Sequence, residues 1–387
     1  MLPYLQVQSC YVLGAGVATL AVDRWLGARL ERASAPRLGR TMRALGTLLA
    51  LALPLAGWML LVRALDHSHT KYQFASIALG YYVAAFWWPL VTIAHAWRRP
   101  RAVALVSCGV LALAGGQYAL WIEPDRIVTA THELAFAQWP RAEPLRVVHI
   151  SDLQTVGECQ RERDAARIVN QLAPDLIVVT GDYVAGPFFD AEPGIAAARR
   201  FFQELSKPRL GIVCVDGHCE SERVRGRVFE GLDVVYLRNE TVQFELGSGR
   251  RLRVFGAKTL NLGFDATSLV RRDDPGLVTL AVSHEPDVSW ELEGRGVDLH
   301  LAGHTHGGQI ALPFVGAPFT LSALPRHFAR GLHEFGDHWL HVSAGIGMEG
   351  NHAPRIRFLC PPQIDLLLLD GGGPPKQRAE VPPKGRP

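Results

Sequence analysis

A chain of 387 residues with 48% hydrophobic content has room for one large domain or two modest ones. Its net charge is only +3, and the arginines behind it cluster beside apolar runs, which excludes a nucleic-acid footprint.

The chain begins with membrane-like sequence up to residue 122. Residues 44–62, 74–96 and 102–122 are free of Asp, Glu, Lys and Arg, and each approaches or exceeds the roughly 20 residues a helix needs to span a bilayer. Residues 5–22 form a weaker fourth candidate, and without a basic segment before it this first run does not read as a cleaved signal peptide. Arg24, Arg29, Arg32, Arg37, Arg40 and Arg43 lie between the first two spans, and Arg98, Arg99 and Arg101 between the last two. The intervening loop holds only Arg63 and Lys71 beside Asp66. The positive-inside rule therefore places both arginine-rich loops in the cytoplasm and everything after residue 122 outside it. The expectation is a multi-pass protein of the cell inner membrane whose catalytic part is extracytoplasmic, on the periplasmic side.

Residues 123–144 read as a linker. From 145 to 370, short apolar runs alternate with helical spacing: helices are expected over 161–172 and 191–205, strands over 252–257, 278–283 and 338–342. Such alternation describes a layered α/β domain. Residues 371–387, rich in Gly, Pro and charge, read as a disordered tail. Cys10 and Cys108 fall in apolar segments, whereas Cys159, Cys214, Cys219 and Cys360 lie where a disulfide is chemically allowed, with no spacing that fixes a pairing.

The chemistry gathers where apolar runs end. Val147-Val148-His149-Ile150 leads into Ser151-Asp152-Leu153-Gln154, Leu176 to Val179 into Thr180-Gly181-Asp182, and Leu280-Ala281-Val282 into Ser283-His284. Leu301-Ala302 leads into Gly303-His304-Thr305-His306-Gly307-Gly308-Gln309. Four strand ends thus present two carboxylates, an amide and three imidazoles, a donor set suited to manganese, iron or zinc. An Asp after a strand is by itself more often a turn or cap, so the weight lies in the ordered set. His149, His300, His327, His333, His338, His341 and His352 read as structural or surface residues. Asn239, within Leu237-Arg238-Asn239-Glu240, receives no role.

With Gly217-His218-Cys219-Glu220 added, these motifs fall in the order and spacing of the calcineurin-like metallophosphoesterases, which the chain resembles from about 145 to 370. The run Gly307-Gly308-Gln309-Ile310, Arg355-Ile356-Arg357 and Pro361-Pro362 look most like the bacterial YkuE and YaeI-type branch. The apolar N-terminal region is similar to the branch with transmembrane segments. The resemblance implies a four-layer αββα sandwich binding two divalent metal ions (Mn, Fe or Zn). Asp152, Gln154 and His306 would hold one ion and His218, His284 and His304 the other, with Asp182 bridging. It also implies hydrolysis of a phosphate ester or pyrophosphate by two-metal activation of water.

Two positions depart from the family pattern. Gln154 stands where histidine is common, a change shared by branches resembling manganese-dependent ADP-ribose diphosphatases. The usual Gly-Asn-His becomes Gly217-His218-Cys219, so His218 takes the place of an Asn ligand and Cys219 that of the phosphate-contacting histidine. His218 and Cys219 are the catalytic candidates, and a thiol donates a proton poorly. The bilayer suggests a lipid-linked or envelope phosphate as substrate. The alternative is a catalytically degenerate module that binds metal and phosphate on a membrane anchor. A transport role is weaker, because apart from His95 the spans hold little buried charge. Oligomeric state is open.

Overall fold

The computed structural model describes residues 111, 114–186, 191–269, 274–349, 355–374 and 379–382. The expected spans 5–22, 44–62 and 74–96 lie outside the described residues, as does most of 102–122 and His352. Among the described residues no helix is long and apolar enough to cross a membrane. Residues 114–117 are helical and lead into a π-helical turn at Tyr118–Ile122.

In chain order the elements are β1 (Val128–Phe136), β2 (Leu145–Ile150), α1 (Gln160–Gln171), β3 (Leu176–Val179), α2 (Ala191–Glu204), β4 (Ile212–Val215), α3 (Glu222–Phe229) and β5 (Val235–Leu237). There follow β6 (Glu240–Gly247), β7 (Arg250–Gly256), β8 (Leu277–Val282), α4 (Ser289–Leu292), β9 (Leu299–Ala302), β10 (Gly331–Phe335), β11 (His338–Val342) and β12 (Gln363–Gly371). Two mixed sheets form, β1-β12-β2-β3-β4-β5 (sheet I) and β10-β11-β9-β8-β7-β6 (sheet II). β2 through β5 run parallel in sheet I, as do β7, β8, β9 and β11 in sheet II.

Side-chain alternation along each strand dictates the layers. Val147, Leu176, Val178, Val213 and Val215 of sheet I meet Leu252, Val254, Val278, Leu280, Leu299 and Leu301 of sheet II in one buried cluster. The other face of sheet I, with Val148, Ile150, Ile177, Val179 and Cys214, packs on α1 and α2 through Ala165, Val169, Ile195, Ala198, Phe201 and Phe202. Those positions recur at the three- and four-residue spacing of one helical face. The far face of sheet II is covered more lightly: Phe255 and Ala281 meet Val288 and Leu292 at the four-residue α4, and Leu340 and Val342 meet Phe328. The expected αββα order is present, with the second helical layer reduced to α4, 3-10 turns and loops.

The linker expected over 123–144 is corrected. Nine of its residues form β1, which pairs in parallel with the whole of β12 from Val128↔Gln363 to Phe136↔Gly371. Thr129, Thr131 and Glu133 are exposed and alternate with inward-facing residues, as on a half-exposed edge strand. The disordered tail is corrected in part, since Ala379 N donates to Gly336 O and Trp290 Nε1 to Pro382 O, while Val381 packs beside Phe335. Cys159, Cys214, Cys219 and Cys360 are all free thiols.

Candidate metal centre

Five parallel strands end at one edge of the sandwich. From sheet I, β2 leads to Asp152 and Gln154, β3 to Asp182, and β4 to His218 and Cys219. From sheet II, β8 leads to His284 and β9 to His304 and His306. Strand carboxyl ends are where layered α/β folds leave backbone free to carry function. The local backbone is bent hard: Asp152 (φ 50°), Gln154 (φ 36°), Asp182 (φ 54°), His304 (φ 70°) and His306 (φ 50°) all occupy the left-handed region. Each such residue costs about 1–3 kcal/mol that the surrounding structure must offset.

The cross-links that hold these turns are short. Asp182 Oδ1 accepts from His218 N (2.6 Å) and Cys219 N (3.0 Å), and its Oδ2 from Gln154 Nε2 (3.0 Å). Asp152 Oδ2 accepts from His304 N at 2.9 Å, tying sheet I to sheet II. A Cβ on Gly303 would overlap the Ser151 hydroxyl and the Asp152 carboxylate, and one on Gly217 would overlap Asp182, so these backbones approach as only glycine permits.

In His218, His284 and His304 one ring nitrogen is spoken for. His284 Nδ1 donates to Thr180 O (2.7 Å), His304 Nε2 to Leu321 O (2.8 Å), and His218 Nε2 faces Glu285 Oε1 (2.8 Å). Because carbonyls only accept, the first two bonds leave bare lone pairs on His284 Nε2 and His304 Nδ1. These two atoms face each other at 3.2 Å. Two lone pairs in that position repel unless a proton or a cation lies between or beside them. His218, His284 and His304 can offer ligand atoms within 4.8 Å of one another, and so can Asp152, Asp182 and His284. Asp152 Oδ1, Gln154 Oε1 and both ring nitrogens of His306 are buried without a hydrogen-bond partner, and His306 Nε2 lies 3.4 Å from Asp152 Oδ1. Orphaned donors of this kind fit cations.

Electrostatics favours the same occupancy. Burial, reinforced by the neighbouring His284 and His218, lowers His304 to about 3. Burial and then Arg357 drive His306 well below the usual imidazole range, so both rings are neutral. Burial pushes Asp152 up to about 6, with His284 pulling against it and Asp182 adding to it. Burial acts to raise Asp182 too, but His284, His218 and the Gln154 amide outweigh it and hold this carboxylate below its ordinary range.

All eight predicted site residues thus meet at one place. Cys219 lies at the rim with its thiol pushed well above its usual range, first by burial and then by Asp182, Glu220 and Glu349, so it stays protonated at neutral pH. Several supporting residues carry weaker sequence signals. Glu220 accepts from Asp182 N, Tyr183 N and Gly217 N and so clamps two ligand turns together. Glu285, next to His284 in sequence, orients His218. Arg357 is fully buried and donates to the carbonyls of Ala344, Gly345 and Gly347; the Gly347 amide in turn supports Asp152 O. Arg355 donates to Gln154 O at 3.0 Å.

The family description for calcineurin-like phosphoesterases matches residues 145–308. The chain carries a calcineurin-like phosphoesterase domain. Metallophosphoesterases of this family use divalent metals, and the protein is a hydrolase acting on phosphoesters. It is 29% identical over 276 residues to the uncharacterized metallophosphoesterase YkuE of Bacillus subtilis, which covers 68% of this chain and 93% of YkuE. Phosphodiesterase YaeI of Escherichia coli is 26% identical over 278 residues, 70% of this chain and 98% of YaeI. The UDP-2,3-diacylglucosamine pyrophosphatase LpxG of Chlamydia trachomatis is 25% identical over 283 residues, 58% of this chain and 83% of LpxG.

Proposed function

We propose that this metallophosphoesterase is a multi-pass protein of the cell inner membrane whose extracytoplasmic domain hydrolyses a lipid-linked or other amphiphilic phosphate ester or pyrophosphate with two divalent ions. The observation that carries the two-ion reading is the pair of facing lone pairs on His284 and His304 beside the orphaned oxygens of Asp152 and Gln154. Asp152, Gln154, His306 and Asp182 would hold one ion, and His218, His284 and His304 the other, Asp182 standing between the groups. Bound there, the ions supply charge neutralisation for the phosphate and a water nucleophile of lowered pKa.

The protein's own groups set the rest. Glu285 keeps the His218 ring oriented, and the Asp182 carboxylate fixes both backbone amides of the turn that carries it. Cys219, protonated and flanked by acids, is a poor proton donor to a leaving oxygen. The reaction is therefore best suited to leaving groups that need no proton, such as the phosphate of a pyrophosphate.

An apolar surface supports the amphiphilic substrate. Phe314 and Phe319 are exposed (109% and 84%), with Val315, Leu321 and Leu312 exposed beside them. Leu321 carries the carbonyl that holds His304, and a cleft of about 680 Å³ opens from the same loop, lined by Val315, Phe319 and Leu324 on its apolar side and by Thr320, Arg326 and His327 on its polar side. Exposed apolar patches of this kind serve recognition of apolar partners. LpxG, by its name, acts on a diacylated sugar nucleotide, and the charge-free runs at 44–62, 74–96 and 102–122 support the bilayer location.

The test is hydrolysis of a chromogenic phosphodiester by the full-length protein with manganese, run beside Asp182→Asn. Manganese-dependent turnover lost in Asp182→Asn is expected. A folded, manganese-loaded protein without turnover on any phosphodiester or pyrophosphate would instead favour the second reading, a metal- and phosphate-binding module without catalysis, which the thiol at Cys219 motivates. Cys219→His then separates the two, because only a degenerate site should gain turnover from near zero.

A further inference from the structure

We propose that His132, His341 and Asp365 form a separate zinc-type metal site, lodged between the two sheets and distinct from the centre at their edge. Strand alternation brings the three together. His132 of β1 and Asp365 of β12 lie on the face of sheet I that also carries Leu134, Phe136, Leu367 and Leu369 inward, and β1 and β12 are direct neighbours. His341 of β11 faces them from sheet II, between Leu340 and Val342, which point to the other side. Elsewhere the layer between the sheets is filled by valine, leucine and aromatic side chains. A carboxylate with imidazoles around it stands out there.

The distances have the form of a metal polyhedron. Both His132 Nε2 and His341 Nε2 lie 3.4 Å from Asp365 Oδ1, and the three ligand atoms are all within 4.8 Å of one another. The His132–Asp365 contact is a long hydrogen bond, whereas a charge-assisted one would be closer, at about 2.7–2.9 Å. A tetrahedral ion with bonds of about 2.0–2.1 Å separates its ligands by roughly 3.3–3.4 Å. His341 Nε2 and Asp365 Oδ2 are buried and have no hydrogen-bond partner.

The second ring nitrogens complete a consistent hydrogen-bond direction. With Nε2 of His341 reserved for the ion, its Nδ1–H donates to His149 Nδ1 at 2.9 Å, and His149 Nε2–H donates to Thr180 Oγ1 at 3.0 Å. Metal-bound histidines are ordinarily oriented in this way by an outer partner. Thr180 also supplies the carbonyl that fixes His284, so the two centres share one residue. Two imidazoles and one carboxylate suit zinc, with a water as fourth ligand, while the Gln363 amide nitrogen donates a hydrogen bond to the same Asp365 oxygen. The His132 side chain is 19% exposed and gives the ion its way in.

The experiment uses the full-length protein stripped of metal, then given zinc, with bound metal counted by mass spectrometry after gel filtration. Asp152→Asn/Asp182→Asn, which cripples the edge centre, should retain one equivalent of zinc, and adding His132→Gln should remove it. Zinc should raise the Tm of the first variant and leave the second unmoved. Because the double Asp variant risks misfolding, His132→Gln alone is also compared with wild type. It should bind one equivalent less zinc while keeping its manganese-dependent turnover. Cobalt in place of zinc should give tetrahedral absorption bands that His132→Gln abolishes. Equal zinc content with and without His132→Gln would overturn the proposal.

Discussion

His218 is the least enclosed of the metal-centre histidines, its side chain 32% exposed, and its orientation rests on Glu285. That carboxylate also accepts from Leu260 N at 2.6 Å, so it is anchored independently of the ring it holds. Outer partners of metal-bound histidines are worth about 10–100-fold in affinity. Glu285→Ala should therefore weaken manganese binding by about that factor, with Glu285→Gln less affected, as measured by titration calorimetry on the metal-free protein. Unchanged affinity in Glu285→Ala would remove His218 from the ligand set. At this scale the candidate site was largely legible in the sequence, because each motif is local: an apolar strand followed within a few residues by its Asp, Gln or His. Glu285, Glu220 and Arg357 were not assigned roles, because their partners lie 67, 37 and 13 residues away and only the fold makes them neighbours.

Elements legible from periodicity were those with a strong internal pattern. The helices expected over 161–172 and 191–205 correspond to α1 and α2, and the strand over 338–342 coincides with β11. β1 was hidden because an edge strand shows alternation on one face only, and its parallel partner β12 lies more than 200 residues further along. Trp139, just beyond β1, shows how firmly this strand is built in. It is 1% exposed, packs edge-on to Phe136, and its Nε1 donates to Gly276 O (3.0 Å) and Arg251 O (3.1 Å) at the margin of sheet II. Trp139→Ala should cost about 3–5 kcal/mol of unfolding free energy, and Trp139→Phe about 0.5–1.5 kcal/mol from the lost indole hydrogen bonds, both read from urea unfolding. A loss below 1 kcal/mol for Trp139→Ala would return this segment to the status of a linker. Asp298, at the entrance to β9, gives a pH signature. Burial pushes its carboxyl up to about 6 even though it accepts from Thr279 N and Gln138 Nε2. A folded-state pKa above the unfolded value means that the protonated acid favours folding. Its contribution is full below about pH 4 and is lost as pH rises through about 6. Relative to Asp298→Asn, wild type should lose up to about 3 kcal/mol of stability between pH 4 and pH 7. A difference that stays constant over that range would contradict the buried assignment.

For the molecule as a whole, the open question is how a polar metal centre and an apolar surface serve one substrate. The loop from 312 to 321 starts a few residues after His306 and returns to hold His304 through the Leu321 carbonyl. Phe314, Val315 and Phe319 therefore stand out from a segment that is itself fastened to the metal loop. Burying two phenylalanine side chains in an acyl environment contributes about 1.5–3 kcal/mol each, or roughly a hundredfold at the low end of that range in binding to an amphiphile. A soluble diester, with no apolar chain to bury, gains nothing from them. Phe314→Ser/Phe319→Ser should therefore raise KM for a phosphate ester presented in phospholipid vesicles by about tenfold or more while leaving kcat/KM for a chromogenic soluble phosphodiester within about twofold. Both residues are exposed, so their loss should leave the Tm unchanged. Equal loss on both substrates would mean that the loop shapes the metal centre through His304 rather than binding an acyl chain. Equal retention on both would detach the apolar surface from the substrate.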